Sequence, residues 1–218
     1  HIGMGSTAAS TAMLQYEIDV PLYKLEKIVG EKNAAQSYLL CYQSVLDLKD
    51  ICKSLKADTG FALKPSFQYA SFKKDVAGLK KEQICRKNIG IQTEWLDEKM
   101  MLDKFGIQRY GGLLSERGGQ LDPYAFTHAL LYTSIQKGLK VFDRTKVTDI
   151  EHPHKKVILT TEDKRKIQAK YLAIACGYES QQYISKTVQH LHATYAIISE
   201  PLSATNLWYK NCLIWETQ

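Results

Sequence analysis

The first half of the chain is patterned with apolar positions at helical spacing. Between residues 32 and 55, Ala34, Tyr38, Cys41, Val45, Leu48, Cys52 and Leu55 alternate four and three apart, with Ala35, Leu39, Tyr42 and Leu46 beside them. Polar Gln36, Gln43, Asp47 and Ser54 lie opposite, so the pattern predicts one long helix with a broad buried stripe. Before it, Asp19-Val20-Pro21-Leu22 reads as an N-cap and first turn of a short helix running to about Gly30. Phe61 to Tyr69 reads as a strand interrupted by Pro65, and Ser71 to about Asn88 as a helix with Phe72, Val76, Leu79 and Ile84 on its apolar side. A short strand over Ile91–Trp95 and a helix from Leu96-Asp97-Glu98 to Phe105-Gly106 follow. Tyr110 to Glu116 then reads as a strand, with Arg117-Gly118-Gly119 as the turn that ends it.

In the second half the period shortens. Asp122-Pro123 starts a helix that runs over Tyr124–Lys137 and closes at Gly138. Leu139–Phe142 reads as a brief strand. Lys146–His152, Lys156–Thr161 and Lys166–Ala169, with a charged turn at Glu162-Asp163-Lys164, predict a small antiparallel meander. Tyr171-Leu172-Ala173-Ile174-Ala175 is a continuous apolar run, expected to be a strand buried on both faces. His192–Glu200 and Leu213–Trp215 read as further strands.

Composition narrows this little. The 218 residues are 44% hydrophobic and 24% charged, ordinary for a globular protein with a sizeable core. No apolar run approaches the ~18 residues of a membrane-spanning helix. The five cysteines have no CxxC pair, which points to reduced thiols and a cytoplasmic setting. The net charge of +6 comes from small lysine clusters, such as Lys73-Lys74 and Lys164-Arg165-Lys166, that read as solvated faces. No nucleic-acid partner is expected.

Candidate chemistry is concentrated in two places. Gly3-Met4-Gly5-Ser6-Thr7-Ala8-Ala9-Ser10-Thr11-Ala12-Met13-Leu14 combines small residues with hydroxyls. Such a run suits a turn entering a helix, where free N–H groups meet phosphate oxygens; a loose N-terminal tail is the bland alternative. Ala175-Cys176-Gly177 follows the apolar run, where ligands sit beyond the carboxyl ends of strands in open α/β sheets. Cys176 reads as a small buried residue rather than a nucleophile. His152, His154, His190 and His192 lack a third ligand, so no metal is expected. Asp122 is explained as a cap, and Trp95, Trp208 and Trp215 as core or interface residues.

Four segments, in order, resemble the FAD-dependent oxidoreductases of the D-amino-acid oxidase and glycine oxidase type. They are Gly5 to Leu14, Gly111-Gly112-Leu113 through Leu121-Asp122-Pro123, Lys146-Val147-Thr148-Asp149-Ile150, and Ala175-Cys176-Gly177-Tyr178-Glu179-Ser180. The resemblance implies an α/β fold of α+β character: an incomplete FAD-binding Rossmann-like domain with a small meander, plus part of a mixed-sheet substrate domain. It assigns residues 1–60 and 118–190 to the first and 61–117 and 191–218 to the second. It implies FAD as cofactor, a small-molecule substrate, and hydride transfer from an amino acid, amine or 2-hydroxy acid. Gly5, Ser6, Thr7, Ser10, Thr11, Ala12 and Met13 would run along the pyrophosphate and isoalloxazine. Val147 would meet the adenine, and Ala175, Cys176 and Gly177 would line the dinucleotide from the other side. The resemblance assigns no residue here a catalytic proton-transfer role, and the catalytic residues stay unassigned. The family's GxGxxG turn is expected before His1 and its substrate-carboxylate anchors after Gln218, so the sequence reads as an internal piece of a longer enzyme, inactive by itself. The alternative from another class is a basic interaction domain binding RNA or a protein partner, which would need the lysine clusters to converge around exposed aromatics.

Overall fold

A computed structural model describes residues 2–192, 195–200, 203 and 208–217. The chain divides into two compact units, one made of 3–138 and 198–217, the other built around Leu139–Ile197. This is a division by contact. The division expected from the sequence, at 60, 117 and 190, is one by ligand, and the two need not coincide.

The larger unit is organised on β4 (Gly112–Gln120). One edge of β4 carries β2 (Ala62–Tyr69) antiparallel along its length. The other edge carries β3 (Glu94–Leu96) at one end and β1 (Met13–Leu14) at the other. β8 (Leu213–Glu216) runs parallel to β2, so the five-stranded sheet is mixed. Pro65 has no N–H for the ladder, and the β2–β4 register shifts between Lys64 and Ser66, a bulge where proline is tolerated.

Helix α1 (Leu22–Val29) packs on α2 (Glu31–Ser54) and α3 (Val76–Asn88), and α2 and α3 pack on β4. The α2 stripe is confirmed, with Ala34, Tyr38, Val45 and Cys52 buried. Ala34, Tyr38 and Val45 join Tyr16, Leu22 and Ile91 in one apolar cluster. A second cluster centres on Phe67, whose ring stacks on Phe105 at 4.5 Å, with Leu96, Met101, Leu114 and Cys212. α4 (Glu98–Phe105) is capped by the Asp97 carboxylate on the Met100 N–H and ends in left-handed Gly106. α5 (Pro123–Gln136) begins as expected, with the Asp122 carboxylate accepting from the Ala125 N–H.

Several expectations are corrected. Gly118-Gly119 is not a turn: β4 runs through it, because the missing Cβ atoms let neighbouring backbones close in. A Cβ on Gly118 would lie 3.0 Å from the Lys64 carbonyl oxygen, and one on Gly119 3.2 Å from that of Ala62. Arg117 serves the packing instead, its guanidinium 3.8 Å from the Tyr42 ring centroid. The buried face of α3 is Leu79, Glu82 and Arg86, while Phe72 and Ile84 are about 60% exposed, at 61% and 60%. A buried ion pair there outranks the apolar period. Pro21, not Asp19, occupies the N-cap of α1.

The smaller unit contains β5 (Val147–Glu151), β6 (Val157–Thr161) and β7 (Lys166–Ala169), an antiparallel meander as expected. Leu139–Phe142 and Tyr171–Ala175 form no strand, and Tyr171 is 78% exposed. Among the described residues no strand lies beside either run, and an unpaired segment has nowhere to place its backbone hydrogen bonds. Within the expected strand His192–Glu200, Ala193 and Thr194 lie outside the described residues and 195–200 are irregular. No helix among the described residues is long and apolar enough to cross a membrane.

Candidate cofactor-binding site

The segment before β1 is a run of turns, not the helix entry expected. The Ala8 and Ala9 N–H groups donate to the Gly5 carbonyl at 3.1 and 3.4 Å, and the Ser10 N–H to that of Thr7 at 3.4 Å. Gly3 lies against α5 in a left-handed conformation, where a Cβ would come within 3.1 Å of the Tyr124 ring. Ala12 is left-handed too, with φ +55°, and its N–H donates to the Ser10 hydroxyl at 3.1 Å. Alanine in that region costs about 1–2 kcal/mol, and such strain persists where the surroundings impose it. Here Met13 and Leu14 are pinned directly after it, opposite Gln120 and Gly119. The Ser6, Thr7 and Thr11 hydroxyls make no hydrogen bond within the described residues. Small side chains, unspent hydroxyls and a strained backbone fit a segment that a phosphate or a flat ring system approaches closely.

The remaining sequence candidates belong to the smaller unit. Val147 opens β5 opposite Thr161. Ala175, Cys176 and Gly177 are all exposed, the first two in irregular chain, so Cys176 is not the small buried residue expected. Gly177, at φ +57°, leads into a turn of 3-10 helix over residues 177–183. A cavity of about 610 Å³ has Lys146, Tyr178 and Glu179 in its wall, the neighbours in sequence of Val147 and Gly177. Each unit thus carries one set of candidates. Among the described residues no cluster of His, Cys, Asp or Glu is arranged to hold a metal.

The sequence reading missed a buried polar network just beyond β1. Arg86 donates from Nε to Glu82 Oε1 at 2.8 Å, and from Nη1 to the Tyr16 hydroxyl at 3.1 Å and Glu17 Oε1 at 3.4 Å. Its Nη2 reaches Gln68 Oε1 at 3.4 Å. The side chains of Arg86, Glu17 and Glu82 are all at most 2% exposed. Burial pushes the Tyr16 phenol up to about 12, opposed by Arg86 and reinforced by Glu17. Burial also raises the Glu17 carboxyl, again against the pull of Arg86. Burial works to lower the Arg86 guanidinium, but Tyr16, Glu17 and Glu82 together outweigh it and raise it. Glu82 and Arg86 stand four apart, one turn of helix, and that spacing was the available signal.

Comparison with known proteins gives this geometry a context. The model of the FAD dependent oxidoreductase family matches residues 1–214. No curated protein matches. Glycine oxidase from Geobacillus kaustophilus superposes with a TM-score of 0.63 at 20% identity, over 77% of this chain and 44% of that one. L-proline dehydrogenase from P. horikoshii gives 0.60 at 14% identity, covering 77% and 41%. L-alpha-glycerophosphate oxidase from Mycoplasma pneumoniae, dithionite-reduced with FAD bound, gives 0.58 at 15% identity, covering 75% and 41%. The chain spans less than half the length of these solved relatives, and at such identities they speak for the fold. The family match itself runs from the small-residue turns through the meander to β8, and on that ground the chain belongs to the FAD-dependent oxidoreductase family.

Proposed function

We propose that the chain forms part of an FAD-dependent oxidoreductase that takes a hydride from a C–H bond beside an amine or hydroxyl of a small molecule. The substrate is an amino acid, an amine or a 2-hydroxy acid. The observation that carries the reading is the family match over residues 1–214, which takes in both sets of candidates. Bound FAD supplies the hydride acceptor; the protein positions it and shapes its surroundings. Gly5, Ser6 and Thr7 offer backbone and hydroxyl donors to the pyrophosphate. Ser10, Thr11, Ala12 and Met13 run beside the isoalloxazine, where the Ser10 hydroxyl holds the Ala12 N–H and fixes the strained turn. Val147 would meet the adenine through its backbone, and Ala175, Cys176 and Gly177 would line the dinucleotide.

The test is anaerobic addition of candidate amines, amino acids and 2-hydroxy acids to the flavin-loaded protein. Bleaching of the visible flavin absorbance by one of these classes is the expected result. A protein that takes up FAD and bleaches with none of them defeats the hydride-transfer reading. For the 218-residue chain by itself we expect weak FAD binding and no turnover, and a tightly retained flavin spectrum would overturn that expectation.

A further inference from the structure

The two sides of β1 are held very differently. The chain before it, from Gly3 to Ala12, is turns and irregular backbone with local hydrogen bonds among Gly5, Thr7, Ser10 and their neighbours. β1 itself is two residues long and pairs with Gly119 and Gln120 at an edge of the sheet. So short a strand does not hold its own place. Directly after it the chain turns inward: Tyr16 is fully buried and the Glu17 side chain is 2% exposed.

What receives the buried end is Arg86 of α3, 70 residues beyond Tyr16. Its Nη1 donates to the Tyr16 hydroxyl and to Glu17, its Nε to Glu82 and its Nη2 to Gln68 of β2. The Tyr16 ring lies 5.4 Å from the same guanidinium and meets the Tyr42 ring of α2 edge-on at 5.0 Å. One rigid, many-donor cation thus ties residues 16 and 17 to α3 and β2 at once. The anchorage is costly. Of three enclosed side-chain atoms without a hydrogen-bond partner among the described residues, two, Gln15 Nε2 and Glu17 Oε2, flank Tyr16. Buried polar groups without partners are unfavourable and persist where other contacts impose the path of the chain.

The structure assigns Arg86 as a positioning residue for the flavin. Through Tyr16 and Glu17 it fixes the exit of β1, and with it the left-handed turn at Ala12 that enters β1 from the other side. This rests on the proposed reading that Ser10, Thr11, Ala12 and Met13 run beside the isoalloxazine. Arg86 acts through the residues between: a turn ordered before the cofactor arrives loses less freedom when it binds.

Tyr16→Phe removes the hydroxyl that Arg86 holds and keeps the ring. In the FAD-free protein it should speed amide exchange at Ala12, Met13 and Leu14. In the flavin-binding protein it should weaken FAD about fivefold and shift the visible flavin absorbance maximum. Arg86→Lys should act in the same direction, because one ammonium cannot span Tyr16, Glu17, Glu82 and Gln68; if it does not fold, Tyr16→Phe decides. Met101→Ala opens the separate cluster around Phe67 and is the control. It should lower the urea midpoint yet leave FAD affinity, the flavin spectrum and exchange at residues 12–14 unchanged. Unaltered exchange at 12–14 in Tyr16→Phe, or equal weakening of FAD by Met101→Ala, would overturn the proposal. FAD bound alike by wild type and Tyr16→Phe would overturn the positioning role alone. A wild type that takes up no FAD, although Tyr16→Phe frees residues 12–14, would overturn the flavin reading and the positioning role with it.

Discussion

The sheet unit and the meander both pair strands in antiparallel ladders but differ in what covers them. β2 and β4 are packed beneath helices, and most buried residues of the chain belong to that unit. In the meander, Val157 and Thr161 alone are buried among the described residues. Strand pairing by itself gives an antiparallel ladder; apolar burial under helices gives a core that can hide charges. The hidden charges lie only where the core is thick enough to exclude water. Hydrogen exchange monitored residue by residue should separate the two, with β2 and β4 amides protected most and β5–β7 amides exchanging well before them. Equal protection would remove the contrast.

The sharpest way to break the larger unit is to remove the cation at its centre. Arg86→Leu leaves Glu17 and Glu82 buried against each other and takes a partner from the Tyr16 hydroxyl. A loss of about 3–5 kcal/mol in urea unfolding is expected, smaller in acid, where a neutral carboxylic acid needs no counter-ion. Next comes Gly112→Ala, whose Cβ would lie 2.5 Å from the Gln68 carbonyl oxygen and 2.7 Å from the Phe67 ring. It must wedge β2 from β4, at a cost of about 3 kcal/mol by the same measurement. Neither change should speed exchange in β5–β7. If either does, the two units unfold together and the contrast fails.

Much of this architecture was legible from periodicity and caps. The α2 stripe, the Asp122-Pro123 entry and the three meander strands rest on local rules, and each appears within a residue or two of its expected bounds. What stayed hidden depended on neighbours distant in sequence. Gly118-Gly119 reads as a turn until Lys64 and Ala62 are known to lie across it. The α3 face was misjudged because Ile84 is apolar, and Arg86 is buried only because Glu17, some seventy residues earlier, meets it. The cofactor candidates were legible as small residues and glycines, but the strain at Ala12 was not: its alanine gives no sign of a positive φ. The apolar run at 171–175 shows the converse, a pattern that promises a strand without naming a partner.

Glu17 sharpens the comparison at a smaller scale. Burial raises its folded-state pKa above the ordinary value of 4.5. The stabilisation linked to this shift is fully present below the unfolded pKa and is lost as pH rises through the folded one. The wild-type unit should therefore lose stability with rising pH across that window. Glu17→Gln, which cannot ionise, should flatten the dependence and gain on the order of 1 kcal/mol over the wild type near neutrality. Urea midpoints measured at several pH values check both the slope and its removal. A mutant that remains parallel to the wild type would show that Glu17 is not the group responsible.

The smallest effects compare two strained residues, one in each unit. Lys164 sits at φ +62° in the tight turn joining β6 and β7, where the Arg165 N–H donates to the Thr161 hydroxyl. Ala12 sits at φ +55° directly before β1. Glycine relieves the steric cost at either position but gains freedom in the unfolded chain, so each substitution should stabilise by no more than about 0.5–1 kcal/mol. Their consequences for FAD should differ. Lys164→Gly relieves a hairpin turn and should leave flavin affinity unchanged. Ala12→Gly loosens a backbone that, on the proposed reading, is shaped to the isoalloxazine, and should weaken FAD by about threefold in the flavin-binding protein because the order lost must be restored on binding. Paired unfolding and flavin-titration measurements distinguish strain that only turns a chain from strain that holds a site. If Ala12→Gly binds FAD as well as Lys164→Gly does, the bend at Ala12 belongs to the entry into β1 and not to the cofactor.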